Sequence, residues 1–169
     1  VLPPDSLKAL PRMLSADEQR YLIWLTQARY EGWGAVVDLG CWLGSSSACL
    51  AEGLARSGKQ GLVHSFDLFR WDSSYMERDS DLRLADGEDF MPEFLRLTQA
   101  WKARIRAQQV DLFNYQWNDG PIEILFVDAA KTWGLTNAIL RSFGPHVVPG
   151  RTRVVFQDYR YPQTMWLPL

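Results

Sequence analysis

The part of the sequence that decides the fold is a strand followed by a glycine-containing turn and a helix. It spans residues 36 to 47 and reads Val36-Val37-Asp38-Leu39-Gly40-Cys41-Trp42-Leu43-Gly44-Ser45-Ser46-Ser47. The apolar residues before Gly40 are typical of a buried parallel strand. The two glycines leave room for a ligand to approach backbone N–H groups, and the following helix directs its positive end to the same place. A dinucleotide-binding turn has the pattern Gly-x-Gly-x-x-Gly, whereas residue 42 is a tryptophan, so this spacing disfavours NAD and FAD.

Strands and helices alternate along the rest of the chain. The hydrophobic pattern predicts strands at 35–39, 62–66, 105–110, 122–127 and 152–156, and helices at 19–30, 45–56, 90–104 and 135–143. Ser15 and Glu18 have the spacing of a capping box before the first helix. Residues 1–14 contain three prolines and are predicted to be an extended lead-in. The alternation predicts one α/β domain over residues 1–169, with a doubly wound, Rossmann-like, mostly parallel sheet and helices on both faces.

Polar side chains stand at the ends of four predicted strands. They are Asp38 with Gly40, Asp67, Asp128 with Lys131, and Gln157 with Asp158. In a doubly wound sheet, ligands bind at the carboxyl ends of the strands, near the point where the strand order reverses. The four strand ends therefore predict one functional site.

The turn and the second of these acids resemble those of the class I S-adenosylmethionine-dependent methyltransferases. Residues 38–44 are similar to the family's first motif, acid-x-Gly-x-x-x-Gly, and Asp67 is similar to its ribose-binding acid. A carboxylate at that position accepts hydrogen bonds from both ribose hydroxyls. The resemblance implies an S-adenosylmethionine site that includes Asp38, Gly40, Cys41, Gly44, Ser46, Asp67, Leu68 and, near the adenine, Asp111.

The segment from Asp128 to Lys131 resembles the Asp-x-x-Lys motif of the cation-dependent small-molecule O-methyltransferases, such as the catechol and caffeoyl-CoA enzymes. In that family the aspartate binds a divalent metal and the lysine, with a lowered pKa, is the general base. The resemblance implies a Mg²⁺ site made by Asp128, Gln157 and Asp158, with Lys131 and Asp128 as catalytic residues. The family commonly has Asp-Asp or Asp-Asn where this chain has Gln157-Asp158, and a neutral carbonyl is a weaker ligand than a carboxylate, so metal dependence stays open. The Asp-Tyr pair after the fifth strand also resembles the macrocin-type O-methyltransferases, which we regard as the closer group.

Structural alternatives exist for each of these residues. Lys131 has the position of a surface lysine at a helix start, Asp128 that of a helix N-cap, and residues 157–158 those of a polar turn. The resemblance implies O-methylation of a small hydroxylated metabolite. The stretch of residues 70–89, with Trp71 and Tyr75, is expected to form part of the acceptor pocket. The alternative is a non-catalytic S-adenosylmethionine-binding module of a larger protein. A nucleotide-dependent oxidoreductase or hydrolase is least favoured, because the chain has no phosphate-binding fingerprint.

The composition restricts the partners. A formal net charge of -2 argues against a nucleic-acid-binding protein. No apolar run reaches the roughly 20 residues of a membrane span. The two cysteines, Cys41 and Cys49, are predicted to be free thiols in a reducing, cytoplasmic compartment.

The end of the sequence predicts an incomplete fold. The class I fold normally contains seven strands, of which the last two form a hairpin, but only eleven residues follow Asp158. We therefore expect the C-terminal strands to be missing and the chain to be a fragment. A fifth strand without its neighbour is an open sheet edge, which predicts a homodimer.

Overall fold

The structure is a computed structural model, and it describes residues 2–159. In chain order its elements are α1 (Asp5–Lys8), α2 (Ala16–Arg29), β1 (Ala35–Leu39), α3 (Ser45–Ser57), β2 (Val63–Asp67), α4 (Ser73–Met76), α5 (Met91–Leu97), β3 (Ile105–Gln109), β4 (Ile122–Val127), α6 (Trp133–Phe143) and β5 (Arg153–Phe156). Two 3-10 turns lie at Gln99–Trp101 and Gly144–His146.

The strands form one parallel sheet in the order β3-β2-β1-β4-β5. The chain moves outward from β1 to β3 on one side, then crosses back and continues with β4 on the other. The strand order therefore reverses between β1 and β4, which are the central strands. This confirms the predicted Rossmann-like sheet. The point where the strand order reverses lies beside β1, the strand that leads into the glycine-containing turn.

Helices cover both faces of the sheet, as predicted. Successive residues of a strand point to opposite faces, so the neighbours Val36 and Val37 belong to different cores. Val36 shares one core with Leu22 of α2 and Leu50 of α3. Val37 shares the other with Phe143 of α6.

The first residues differ from the extended lead-in that their prolines predict. Asp5–Lys8 is a helical turn, and Leu7, Leu10 and Leu14 are buried in the core formed by α2 and α3. The three leucines are spaced by three and four residues, so they can bury one apolar side together. Pro4 immediately precedes the turn, where a fixed φ and a missing N–H cost nothing.

The helix predicted at 90–104 ends earlier than its apolar pattern indicates. The helical segment stops at Leu97, and the chain continues as a 3-10 turn. The carbonyl of Phe94 accepts from both the N–H of Thr98 at 2.9 Å and its hydroxyl at 2.7 Å. The strands β1 and β4 have the predicted bounds, and Ser15 and Glu18 form the predicted capping box.

The predictions about missing closing strands and about the tail after residue 159 concern a part of the chain outside the described residues. Within residues 2–159, no helix combines the length and the apolar character that a membrane span requires.

Candidate functional site

A cavity of about 300 Å³ lies at the carboxyl ends of the strands. Its size is at the lower end of the range for small-molecule sites. The polar residues and the glycine that line it come from four strand ends: Gly40 after β1, Asp67 of β2, Asp111 after β3, and Asp128 with Lys131 after β4. The structure therefore brings together residues that are up to 91 positions apart in the sequence, from Gly40 to Lys131.

The carboxylate of Asp67 is fixed by two backbone amides. The N–H of Trp42 donates to Oδ2 and the N–H of Phe69 donates to Oδ1, both at 2.9 Å. Burial raises the pKa of Asp67, and the amides oppose that rise. A carboxylate has about four lone-pair directions, so Asp67 has acceptor capacity left for hydroxyl groups of a ligand.

Trp42 stands in the turn where a dinucleotide-binding protein has its second glycine, and it adopts a backbone conformation that glycine usually provides. Its backbone is in the left-handed region, with φ of +43°, and this conformation turns its N–H toward Asp67. Trp42 lines the cavity and is 9% exposed. The sequence did not identify Trp42 as a site residue, because residue type alone does not reveal which way a turn residue points.

The two glycines of the turn have different structural roles. Gly40 has φ of +85°, and a Cβ there would lie 3.0 Å from the backbone nitrogen of Ala129, so it lets the end of β4 approach the turn. Gly44 has φ of +92°, and its Cβ would lie 2.3 Å from Cγ2 of Thr98. Gly44 thus makes room for the end of α5, whereas Gly40 borders the cavity.

Asp38 lies behind the turn, fully buried. Its Oδ2 accepts hydrogen bonds from the hydroxyls of Ser46 at 2.8 Å and Ser47 at 2.6 Å, which joins β1 to the first turn of α3. Its Oδ1 is buried and has no hydrogen-bond partner among the described residues. Burial raises the pKa of Asp38 to about 7, although the hydroxyls of Ser47 and Ser46 oppose the rise.

Four of the eight predicted cofactor-binding residues line the cavity, and four do not. Gly40, Asp67, Leu68 and Asp111 line it. Asp38, Cys41, Gly44 and Ser46 are absent from its lining within residues 2–159. Of the two aromatic residues expected in an acceptor pocket, Tyr75 lines the cavity, whereas Trp71 is buried in an apolar cluster with Phe90.

The other end of the cavity contains a charged cluster. The ammonium of Lys131 donates to Oδ1 of Asp128 at 2.5 Å and also to Oδ2 of Asp158. Burial lowers the pKa of Lys131, but the two carboxylates outweigh it, and the net pKa is raised. This is opposite to the lowered pKa expected for a lysine base. Burial raises the pKa of Asp128 to about 6, although Lys131 opposes the rise.

The structure excludes one of the structural alternatives for these residues and adds charged partners to the other two. The N-cap of α6 is Thr132, whose side chain accepts from the N–H of Leu135 at 3.2 Å, so Asp128 is not the cap. Lys131 is about half exposed but is paired with two carboxylates. Residues 157–158 do form a turn, and their side chains face Asp128 and Lys131.

The three predicted metal ligands lie together, but their arrangement does not fit a divalent cation. The ammonium of Lys131 lies between Asp128 and Asp158. The side-chain amide of Gln157 faces the carboxylate of Asp128, which can only accept, and when its nitrogen is assigned to that side it donates to Oδ1 at 2.5 Å. Between residues 2 and 159, no group of three or more histidine, cysteine, aspartate or glutamate side chains has a geometry that could hold a metal ion.

Comparison with known proteins identifies the class of protein that this fold and site define. A family model described as a methyltransferase domain matches residues 37–159, from the third residue of β1 to the residue after Asp158. The chain belongs to this methyltransferase family, which confirms the assignment made from residues 38–44, 67 and 128–131. None of the curated proteins compared with the chain matches it.

Solved structures agree in fold. The O-methyltransferase NovP is similar with a TM-score of 0.73 at 16% identity, over 94% of this chain and 72% of that one. The apo structure of CalS11, a TDP-rhamnose 3'-O-methyltransferase, has a TM-score of 0.65 at 14% identity, over 98% of this chain and 75% of that one. The S-adenosylhomocysteine-bound methyltransferase PaMTH1 of Podospora anserina has a TM-score of 0.58 at 15% identity, over 92% and 63%.

Proposed function

We propose that the chain is an S-adenosylmethionine-dependent O-methyltransferase that acts on a small hydroxylated metabolite. One observation carries the proposal: a single cavity is lined at one end by Asp67 and at the other by Asp128 and Lys131. Methyl transfer requires a cofactor and an acceptor side by side in water-poor surroundings, and alignment supplies most of the rate. A cavity that joins a ribose-binding acid to a proton-accepting cluster meets that requirement.

The cofactor end fits S-adenosylmethionine. Asp67 is held by two amides with lone pairs to spare, and Gly40 keeps the nearby surface free of a side chain. Leu68 and Phe113 line the cavity and are more than half exposed, which suits them to the faces of an adenine ring. When bound, the cofactor supplies an electrophilic methyl group.

The four predicted cofactor residues that do not line the cavity support the turn in this proposal and do not contact the cofactor. Asp38 and Ser46 hold the strand to the helix, and Gly44 makes room for α5. Cys41 is buried, and burial raises the pKa of its thiol well above the ordinary value, so it stays a neutral packing residue.

At the acceptor end, Asp128 accepts the proton and Lys131 supplies the positive charge. The raised pKa of Lys131 keeps it protonated, so the base role passes to Asp128, whose pKa of about 6 leaves it ionised at neutral pH. The hydroxyl proton passes to the Asp128 carboxylate while one oxygen–carbon bond forms and one carbon–sulfur bond breaks. Positioned bases of this kind contribute about 10² to 10⁴ in rate.

Calorimetric titration with S-adenosylmethionine and S-adenosylhomocysteine tests the first half of the proposal, and we expect both to bind. Release of S-adenosylhomocysteine in the presence of a panel of small hydroxylated compounds tests the second half. Binding without turnover on any compound would favour the non-catalytic module, and absence of binding would contradict both.

The cellular setting is part of the proposal. Cys41 and Cys49 are both free and buried in the described structure, which supports a reducing, cytoplasmic compartment. The homodimer through β5 stays a prediction, and a sedimentation profile of a monomer at high concentration would count against it. The net charge of -2 supports a small-molecule partner and not a nucleic acid.

A further inference from the structure

The charged cluster of Asp128, Lys131 and Asp158 resembles a cation site that already contains a cation. Two carboxylates from the ends of neighbouring strands, β4 and β5, converge on one point. The ammonium of Lys131 occupies that point and donates to an oxygen of each carboxylate. The cluster therefore contains one positive and two negative charges before any ion is added.

The backbone brings Lys131 to this position. The N–H of Lys131 donates to the carbonyl of Ala129 at 2.8 Å, in a tight turn directly after β4. This turn returns the chain toward Asp128, so that a side chain three residues later reaches back to it. The lysine is thus positioned by the same turn that follows the strand.

The neutral member of the cluster, Gln157, would have to be arranged differently for a metal. Without a metal, the atom assigned to face Asp128 is its amide nitrogen, because the carboxylate can only accept a hydrogen bond. A Mg²⁺ ion takes oxygen ligands in near-octahedral geometry at about 2.0–2.1 Å, so it would need the carbonyl oxygen of Gln157 turned toward it and the ammonium moved away.

We propose that the ammonium of Lys131 takes the place of a divalent cation between Asp128 and Asp158, so that the cluster handles the acceptor hydroxyl without a metal. The role of the cluster toward the acceptor hydroxyl rests on the proposed function, whereas the occupation of the cation position by Lys131 rests on the geometry alone. Lys131 then orients the acceptor oxygen and stabilises negative charge on it as its proton passes to Asp128.

Manganese binding to the cofactor-free chain tests the proposal, with electron paramagnetic resonance as the readout of free Mn²⁺. We expect the wild-type chain to show no saturable binding up to about 1 mM, the weak limit of carboxylate cation sites. Lys131→Ala empties the position and leaves both carboxylates, so Mn²⁺ affinity should rise by at least about tenfold. Adding Asp158→Asn to Lys131→Ala should remove the gain.

Lys8→Ala is the matched control, because Lys8 forms an exposed ion pair with a single aspartate, Asp5, at 2.8 Å. It should bind no more Mn²⁺ than the wild type. Lys131→Met provides a second variant without the charge, in case the alanine variant does not fold.

Saturable Mn²⁺ binding by the wild-type chain would overturn the proposal, and so would a failure of both lysine variants to gain affinity. The measurement uses neither cofactor nor acceptor. Its outcome is therefore separate from that of the methyl-transfer assay, which can fail while the manganese result still stands.

Discussion

At the scale of single residues, Asp67 is the side chain on which cofactor affinity should depend most. Asp67→Asn keeps the size but replaces one acceptor oxygen with a donor, and charge-assisted hydrogen bonds are worth about 1.5–3 kcal/mol each. We expect the affinity for S-adenosylhomocysteine to fall about 10- to 100-fold, measured by calorimetry. Asp119→Asn changes an acid outside this cavity and should leave the affinity as it is; equal losses in the two variants would argue against a ribose contact.

Asp38 should make stability depend on pH. Its pKa rises from 3.8 to about 7 on folding, so between these values the folded chain binds more protons than the unfolded chain. The stabilising contribution of the protonated form is therefore complete below about pH 4 and is lost as the pH rises to about 7. Asp38→Asn keeps an oxygen to accept from the two serines but does not titrate.

Urea unfolding between pH 5 and 7.5 measures this contribution. The wild-type stability should fall with rising pH more steeply than that of Asp38→Asn. Parallel pH profiles would show that Asp38 ionises as readily in the folded chain as in the unfolded one.

The strand-end acids were predictable from the sequence because each directly follows a short apolar run. Asp67, Asp128 and Lys131 meet in one cavity for that reason. Trp42 and Phe113 were not predictable as cavity residues, because their orientation depends on turns whose conformation is set by distant packing. The raised pKa of Lys131 was also beyond the sequence, since it depends on how closely the side chains of Asp128 and, 27 residues further on, Asp158 approach the ammonium.

At the scale of elements, Glu123 joins β4 to the loop before β1. It is buried, and its carboxylate accepts hydrogen bonds from four successive backbone N–H groups, those of residues 31–34. Glu123→Ala leaves these amides without their partner, and we expect unfolding free energy to fall by about 2–4 kcal/mol. Chemical denaturation measures this loss.

Glu93→Ala is the control for that variant, because Glu93 forms an exposed pair with Arg96 within one helix. Its effect should stay within about 0.5 kcal/mol. Glu123 lies at the amino end of β4, opposite the cavity, so cofactor affinity of the folded Glu123→Ala chain should be unchanged. A large loss of affinity without a loss of stability would contradict this division.

The element bounds show where sequence patterns are sufficient. The strands β1 and β4 begin and end as predicted, because short and largely apolar runs are typical of the buried centre of a parallel sheet. The helix at 91–97 was predicted too long, because the apolar pattern continues into the 3-10 turn at Gln99–Trp101 and does not distinguish that turn from an α-helix. Residues 5–14 were predicted extended, since their prolines outweighed the spacing of their leucines.

At the scale of the whole molecule, the residues of the candidate site lie at the carboxyl ends of the strands, and the residues expected to matter for stability lie at the amino ends. The carboxyl ends of the strands contain the cavity with Asp67 and the Asp128–Lys131–Asp158 cluster. The amino edge contains Glu123 and its amides, buried within the fold. Such a division is expected of a doubly wound sheet, in which the loops after the strands vary in chemistry while the opposite edge maintains the packing.

The crystal structure of the chain with S-adenosylhomocysteine tests the central claim most directly. The account predicts the ribose hydroxyls within hydrogen-bonding distance of the Asp67 carboxylate, the adenine between Leu68 and Phe113, and the sulfur on the side of the cavity that faces Asp128 and Lys131. The cofactor product bound elsewhere, or bound here with its ribose away from Asp67, would contradict it.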